Sequence, residues 1–423
     1  MSQRNAFILK ASVLLYRIAM FGYITGVRIA ALFNNKAALW FEGRKLQMTD
    51  IEALDEQIQR IWFHCASLGE FEQGRPVIEG IRQLYPHIPI VLTFYSPSGF
   101  EIRKNYPLVD HVFYLPVDTP FNASLFIKKM NPCLAVFVKY EFWYFHLKTL
   151  NARKTPTLLI SSLFRPNQVF FKWHGVFFRS MLDCFTQIFV QHQDSLDLLV
   201  LYHYLNVQVS GDTRIDNVLH RAKKPAVMPL VQDFVGNSPV LVAGSTWPAD
   251  EKLLFDFLKT GQGDNWKILL APHDIDENHL SDIIKSAEVI PLVRLSDLAN
   301  ISSNDIQVLL IDTIGHLFDL YQLADIAYIG GGFGKSIHNT LEPAAFGIPV
   351  IFGPRYHKFE EAKAFINNGG GFCIHTLEEL TGVMALLQEP GRRKVAAESV
   401  SKWMHENSGG SKIVLTYIQT ILS

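Results

Sequence analysis

A carboxylate that follows a β-strand and opens a helix can take a proton from an attacking hydroxyl, as glycosyl transfer to an alcohol requires. His64-Cys65-Ala66-Ser67-Leu68-Gly69-Glu70 offers one, directly after the apolar run 61–64 and ahead of a helix expected to begin near Glu72. A plainer role is open to the same residues: Glu70 complementing the helix dipole, Ser67 capping, and His64 hydrogen-bonding at the strand end. The helix N-terminus lowers the Glu70 pKa, whereas Glu72 and desolvation raise it. A second constellation, Gly330-Gly331-Gly332-Phe333-Gly334 through His338-Asn339-Thr340-Leu341-Glu342, also follows a strand. Its glycines let backbone N–H groups approach a phosphate, and Glu342 is placed to accept from ribose hydroxyls. Alternatively, Asn339 caps a helix with Glu342 as its capping-box partner. The run lacks the spacing of a dinucleotide fingerprint.

Further polar clusters follow apolar runs at Gly244-Ser245-Thr246-Trp247, Pro272-His273 and Asp312-Thr313-Ile314-Gly315-His316. Together with the glycine-rich loop they outline one nucleotide pocket in the second half of the chain. Asp274-Ile275-Asp276 has the form of a metal-holding DxD, but its position suits the start of a helix, and no metal is expected.

Such loops need a parallel sheet to position them. Short apolar runs at 61–64, 90–94, 111–115, 134–138, 157–161, 187–191 and 207–210 alternate with helix-period segments. The polar, proline-bearing stretch around Pro225 and Pro239 interrupts the rhythm, which restarts at 240–243, 267–271, 308–312, 326–329 and 349–352. At 423 residues the chain exceeds what one core usually organises. The expectation is an α/β chain of two Rossmann-like, doubly wound domains facing a cleft, with ligands at the carboxyl ends of their strands.

The charge balance of 39 Lys and Arg against 40 Asp and Glu argues against a nucleic-acid partner. Four scattered cysteines suggest neither zinc nor disulfides. The 48% hydrophobic content points to a lipid-facing segment, and residues 6–33 supply it, interrupted by Lys10, Arg17 and Arg28. Those three cations share one face of a helix, which favours a helix lying at the surface of an anionic membrane over a buried core helix or a spanning helix that would have to bury Arg17. Lys36, Arg44 and Lys45 follow, which favours the cytoplasmic leaflet.

In this order the motifs resemble the 3-deoxy-D-manno-octulosonic acid (Kdo) transferases of lipopolysaccharide assembly. The resemblance is carried by the segment Trp40 to Arg44, His64-x-x-Ser67-x-Gly69-Glu70, Ser96-Pro97-Ser98-Gly99 and Glu141-x-Trp143. It continues through Gly211-Asp212-Thr213-Arg214-x-Asp216, Gly244-Ser245-Thr246, Asp312-Thr313-x-Gly315 and His338-Asn339-x-Leu341-Glu342 followed by Pro349-Val350. It implies a GT-B fold and an inverting transfer of Kdo from CMP-Kdo to a lipid A precursor, with no cofactor. It further implies Glu70 as catalytic base, and CMP held by Pro272 and His273, by Ile314, Gly315 and His316, and by Asn339, Thr340, Leu341 and Glu342. Ser245 and Thr246 are candidate phosphate contacts, and His64, Ser67, Gly69, Ser96 and Ser98 are candidates for the acceptor side. Where the family usually shows Pro-Arg-His-x-Glu-Arg, this chain has Ala271-Pro272-His273-Asp274-Ile275-Asp276, and the family's Gly-Glu-Leu is Gly315-His316-Leu317. A cationic phosphate contact is therefore missing, with Lys335 and Arg355 as candidates to replace it.

The expected organisation is an anchor over 1–35, an acceptor-binding domain over 36–222, a linker over 223–238 and a CMP-Kdo-binding domain with C-terminal helices over 239–423. The partners implied are CMP-Kdo, a lipid A precursor and anionic lipids of the inner membrane, on its cytoplasmic face. A nucleotide-sugar epimerase or hydrolase on the same fold, or a non-catalytic membrane-bound scaffold, are the alternative functions.

Overall fold

The computed structural model describes residues 3–300 and 305–423, so Met1 and Ser2 of the expected anchor and residues 301–304 of the expected second domain lie outside the described residues. The chain divides into two compact units, Met1–Asn217 with Ser408–Ser423, and Val218–Asn407.

The first unit holds seven parallel strands: β1 (Arg60–Cys65), β2 (Ile90–Phe94), β3 (His111–Tyr114), β4 (Pro132–Val138), β5 (Thr157–Ser162), β6 (Gln187–Val190) and β7 (Val207–Val209). Their order is β3-β2-β1-β4-β5-β6-β7. Every residue of β1 is buried, which is why its sequence reads as a run rather than an alternation: helices cover both faces of a parallel sheet. Because the order reverses between β1 and β4, the loops after these two strands flank the crevice where such sheets bind ligands.

The second unit repeats the plan with β8 (Val240–Thr246), β9 (Lys267–Pro272), β10 (Leu292–Arg294), β11 (Val308–Leu310), β12 (Ile326–Ile329), β13 (Val350–Phe352) and β14 (Gly371–Cys373). The order is β10-β11-β9-β8-β12-β13-β14, reversing between β8 and β12. Strands β10 and β14 were not expected: they are the two edge strands of the sheet and only partly buried, so Leu292-Val293-Arg294 and Gly371-Phe372-Cys373 do not read as apolar runs.

Two of the expected boundaries need correction. The last helix, Gly410–Leu422, belongs to the first unit rather than to the second domain, burying Val414 and Ile418 in a core shared with Phe71, Ile78 and Val136. The Asp216 carboxylate secures this return by accepting from the backbone N–H groups of Gly409 and Ser411, each at 2.6 Å. Thr213 completes the clamp, meeting Ser161 Oγ at 2.7 Å and donating to the Gln73 carbonyl at 2.6 Å. The expected linker is likewise structured: the helix Pro229–Val235 buries Val231, Phe234 and Val235 in the second unit.

Ahead of the first sheet run α1 (Gln3–Ala30) and α2 (Asn35–Glu52). One side of α1 packs Leu9, Val13 and Tyr16 against the core, and Tyr16 Oη donates to Asp118 Oδ2 at 2.7 Å. The far side leaves Phe7, Leu14, Ile18, Phe21 and Ile29 exposed. Lys10, Arg17 and Arg28 fall between these two stripes at 100° per residue. The stretch Ala6–Ala30 is long and apolar enough to cross a membrane.

Candidate active site

Helix α3 (Leu68–Leu84) starts four residues earlier than the sequence suggested, so Glu70 stands in its first turn with Ser67 at the N-cap position. The Ser67 side chain makes no cap bond. Instead the Ala66 N–H donates to Glu70 Oε2 at 2.5 Å, so the helix-complementing role read from the sequence is realised by the candidate base itself. Burial, and then the negative charge of Glu141, push the Glu70 carboxyl up to about 7, against the lowering effect of the Ala66 and Ser67 N–H groups and of Lys139. Glu72, expected to act on Glu70, is engaged elsewhere: it accepts from Arg103 at 2.9 Å and from Asn217 at 2.8 Å.

Glu141 follows β4, across the switch point from Glu70. Sequence reasoning missed it as a site residue because the adjacency of β1 and β4 is a matter of strand order, which spacing along the chain does not reveal. Its Oε2 lies 2.9 Å from His64 Nε2 and accepts from Trp143 Nε1 at 2.8 Å. His64 Nδ1 lies 2.9 Å from Thr93 Oγ1, which in turn accepts from Trp62 Nε1 at 2.9 Å. One assignment satisfies both ring nitrogens: Thr93 donates to Nδ1, and a neutral His64 donates from Nε2 to Glu141. Burial draws the His64 pKa down, in keeping with a neutral ring. His64 is therefore a buried support for Glu141, not a residue at the acceptor surface as the sequence suggested.

Of the other acceptor-side candidates, Gly69 and Ser98 are exposed. Ser96 caps the next helix through its contact with the Ser98 N–H, and its own N–H donates to the Ala66 carbonyl at 2.8 Å, binding the two loops together. Beneath them the buried Arg44 donates to the carbonyls of Leu115, Trp40 and Tyr95, with its guanidinium 3.8 Å from the Trp40 ring centroid. Tyr95 stacks on Trp143 at 4.4 Å. The Trp40 to Arg44 motif thus braces the loops that carry the candidate site.

In the second unit the predicted donor residues stand at or past the carboxyl ends of β11, β9, β8 and β12, four neighbouring strands, and so share one edge of the sheet. At the switch point Trp247 Nε1 donates to His338 Nε2 at 3.1 Å. The His273 ring stacks against both, 4.7 Å from Trp247 and 4.5 Å from His338. Ile314 is exposed, Gly315 takes a positive φ of 97°, and His316 stands at the N-cap of a short helix. Asn339 Oδ1 accepts from the Leu341 N–H at 3.0 Å, and the N-cap is Thr340, one residue later than the capping alternative read from the sequence. Thr246, Pro272, Thr340 and Leu341 are buried, whereas Glu342 is half-buried and Asn339 is exposed. Thr246 Oγ1 donates inward to Glu251 at 3.0 Å, which withdraws it as a phosphate contact; Ser245 is half-buried. Asp276 caps the helix Glu277–Ala287.

The glycine run has a structural cause of its own. A Cβ on Gly330 would stand 2.2 Å from the Ser245 carbonyl oxygen, and one on Gly332 would stand 2.5 Å from the Gly353 nitrogen. Asp250, buried beneath, accepts from the Gly331 N–H and from Tyr328 Oη, each at 2.9 Å.

Residues 40–217 match the model of the 3-deoxy-D-manno-octulosonic-acid transferase (kdotransferase) family. Proteins described as 3-deoxy-D-manno-octulosonic acid transferase from Haemophilus influenzae and Aquifex aeolicus align at 26% identity over 378 residues and 27% over 346. These alignments cover 86% and 80% of this chain, and 87% and 89% of the relatives. The chain is a relative of the Kdo transferases. Among solved structures it resembles a UDP-GlcNAc 2-epimerase from Neisseria meningitidis (TM-score 0.59, 14% identity, 86% of this chain and 100% of that one). MurG from Acinetobacter baumannii is similar as well (TM-score 0.53, 12% identity, 85% and 99%). These likenesses give the GT-B fold. Within the part that matches the Kdo transferase family lie both Glu70 and Glu141, whereas the clamp residue Asp216 sits at its last turn.

Proposed function

We propose that this chain transfers Kdo from CMP-Kdo to a hydroxyl of a lipid A precursor with inversion, as a glycosyltransferase of lipopolysaccharide assembly. The observation that carries the mechanism is the Glu70 carboxyl, placed at the switch point of the first sheet with its pKa raised to about 7. A base of that strength is half ionised at neutral pH and still basic enough to take a hydroxyl proton as the oxygen gains its new bond. In the proposed step the acceptor oxygen bonds to the anomeric carbon of Kdo while the bond to the CMP phosphate breaks. The acceptor proton ends on Glu70 and the departing charge remains on the phosphate.

The loops after β8, β9, β11 and β12 would hold the donor through His273, the 314–316 loop, the 339–342 turn and Ser245. Lys335 and Arg355, exposed on loops that follow β12 and β13, would supply the cation missing near Pro272. The role proposed for α1 is attachment to the cytoplasmic face of the inner membrane. Its outward apolar stripe with cations on one shoulder supports that role. No cofactor is required by the step.

The test is mass spectrometry of products formed from CMP-Kdo and a defined lipid A precursor, alongside CMP release with the acceptor omitted. Wild type should add Kdo and Glu70→Ala should not, with CMP binding retained. CMP release that ignores the acceptor would exclude a transferase, and substantial transfer by Glu70→Ala would exclude this base.

A further inference from the structure

An open cavity of about 440 Å³ lies in the first unit, within the size range of small-molecule pockets. Phe142, Val169, Phe170 and Phe178 make it chiefly apolar, and Glu141 and Trp143 also wall it. Glu141 is the same carboxylate whose charge acts on Glu70. A ligand filling the cavity therefore has hydrocarbon against the phenylalanines and a hydrogen-bonding head beside Glu141, the carboxylate whose charge reaches Glu70.

The cavity also connects with α1. The Phe142 ring lies 4.8 Å from Phe170, and Phe170 lies 5.9 Å from Phe178. Phe178 is 5.3 Å from Phe177, which is 5.4 Å from Tyr16 on α1. A continuous row of rings thus runs from the cavity to the helix whose outer stripe is apolar and exposed. Trp173, on the segment between Phe171 and Phe177, is 84% exposed. An amphiphile drawn from a lipid surface fits this arrangement; a free sugar leaves the phenylalanine walls wet.

We infer that this cavity binds one hydrocarbon chain of the lipid acceptor, holding the acceptor's hydroxylated head beside Glu70. The inference rests on the transfer reading for the identity of the acceptor. Each methylene buried strengthens binding roughly fourfold, so displacing two or more from the cavity should cost more than tenfold.

Val169→Trp, which puts a bulkier side chain into the cavity, tests this with two acceptors: an acylated lipid A precursor and its fully deacylated sugar. The variant should lower the ratio of kcat/KM for the acylated over the deacylated acceptor by more than tenfold; an unchanged ratio overturns the inference. Phe178→Trp repeats the test should Val169→Trp lower the thermal midpoint. A readout independent of the reaction is photolabelling of the full chain with lauric acid bearing a terminal diazirine, followed by peptide mapping. Label should fall on residues 142 and 169–178 in wild type and be lost there in Val169→Trp; label confined to α1 overturns the inference. Labelling of the cavity in a chain that transfers Kdo to neither acceptor would refute the transfer reading and leave the chain site standing.

Discussion

Replacing Glu70 by Gln separates what this carboxyl does for stability from what it does for chemistry. In the fold its pKa stands at about 7 against an ordinary 4.5, because burial and then Glu141 disfavour the charged form. A carboxyl whose folded pKa exceeds its unfolded value stabilises the fold in its protonated form. That contribution is complete below about pH 4.5 and is lost as pH rises through about 7. At 1.36 kcal/mol per pH unit the full swing is about 3 kcal/mol, and partial solvent access reduces it to about 2 kcal/mol.

Gln titrates nowhere in this range, and its amide oxygen can still accept from the Ala66 N–H. The unfolding free energy of Glu70→Gln, relative to wild type, should therefore improve by about 2 kcal/mol between roughly pH 4.5 and pH 8.5. Amide hydrogen exchange at β1 and β4 reads this within the first unit, without requiring the two units to unfold together. Over the same range wild-type kcat/KM should climb to a plateau with a midpoint near pH 7, while the variant should lie roughly 10²-fold or more below it. A stability difference that stays constant with pH would refute the argument, since the carboxyl would then titrate alike in both states.

Glu141→Gln removes the like charge, so the midpoint of the pH–rate profile should move toward acid by up to roughly one unit; an unmoved midpoint would mean that burial alone raises the Glu70 pKa. Ile418→Ala empties a fully buried position on the returning C-terminal helix and should destabilise the first unit by about 2–5 kcal/mol, read as lost exchange protection in its core strands while β8 and β12 keep theirs. Reversing the charges of Lys10, Arg17 and Arg28 together should release the protein from anionic vesicles in a flotation assay; retention would instead favour a helix that spans the bilayer.

The regular part of this fold was legible because parallel strands buried on both faces announce themselves as apolar runs. All but two of the fourteen strands could be placed within a few residues that way. Strand order was not legible, and Glu141 shows the consequence. Its neighbour Trp143 and its place after β4 were visible, but only the β1-β4 pairing makes it the carboxylate that acts on Glu70. His64 shows the converse: a titratable residue at a strand end looks the same in sequence whether it faces solvent or, as here, lies wholly buried between Thr93 and Glu141. The return of the last helix escaped for a third reason. Its amphipathic pattern specifies that one face is buried, not which of two cores receives it.

The glycine-rich loop carries a more general lesson about motifs at sheet edges. Gly330 and Gly332 are required by the close approach of β12 to its neighbours' loops, whatever ligand the edge binds. The run therefore testifies to tight packing at the switch point, and recognition of the donor must rest on the groups the packing presents. Among these, His273 and His338 are poor substitutes for an arginine. Their rings stack 4.5 Å apart, and burial and then the charge of His273 draw the His338 pKa below its ordinary value. Holding two protons on that stack near neutral pH opposes both effects. A guanidinium or ammonium retains its charge throughout this range, so in the proposed donor site Lys335 or Arg355 would be the better counter-charge for a phosphate, and the imidazoles would hydrogen-bond and stack.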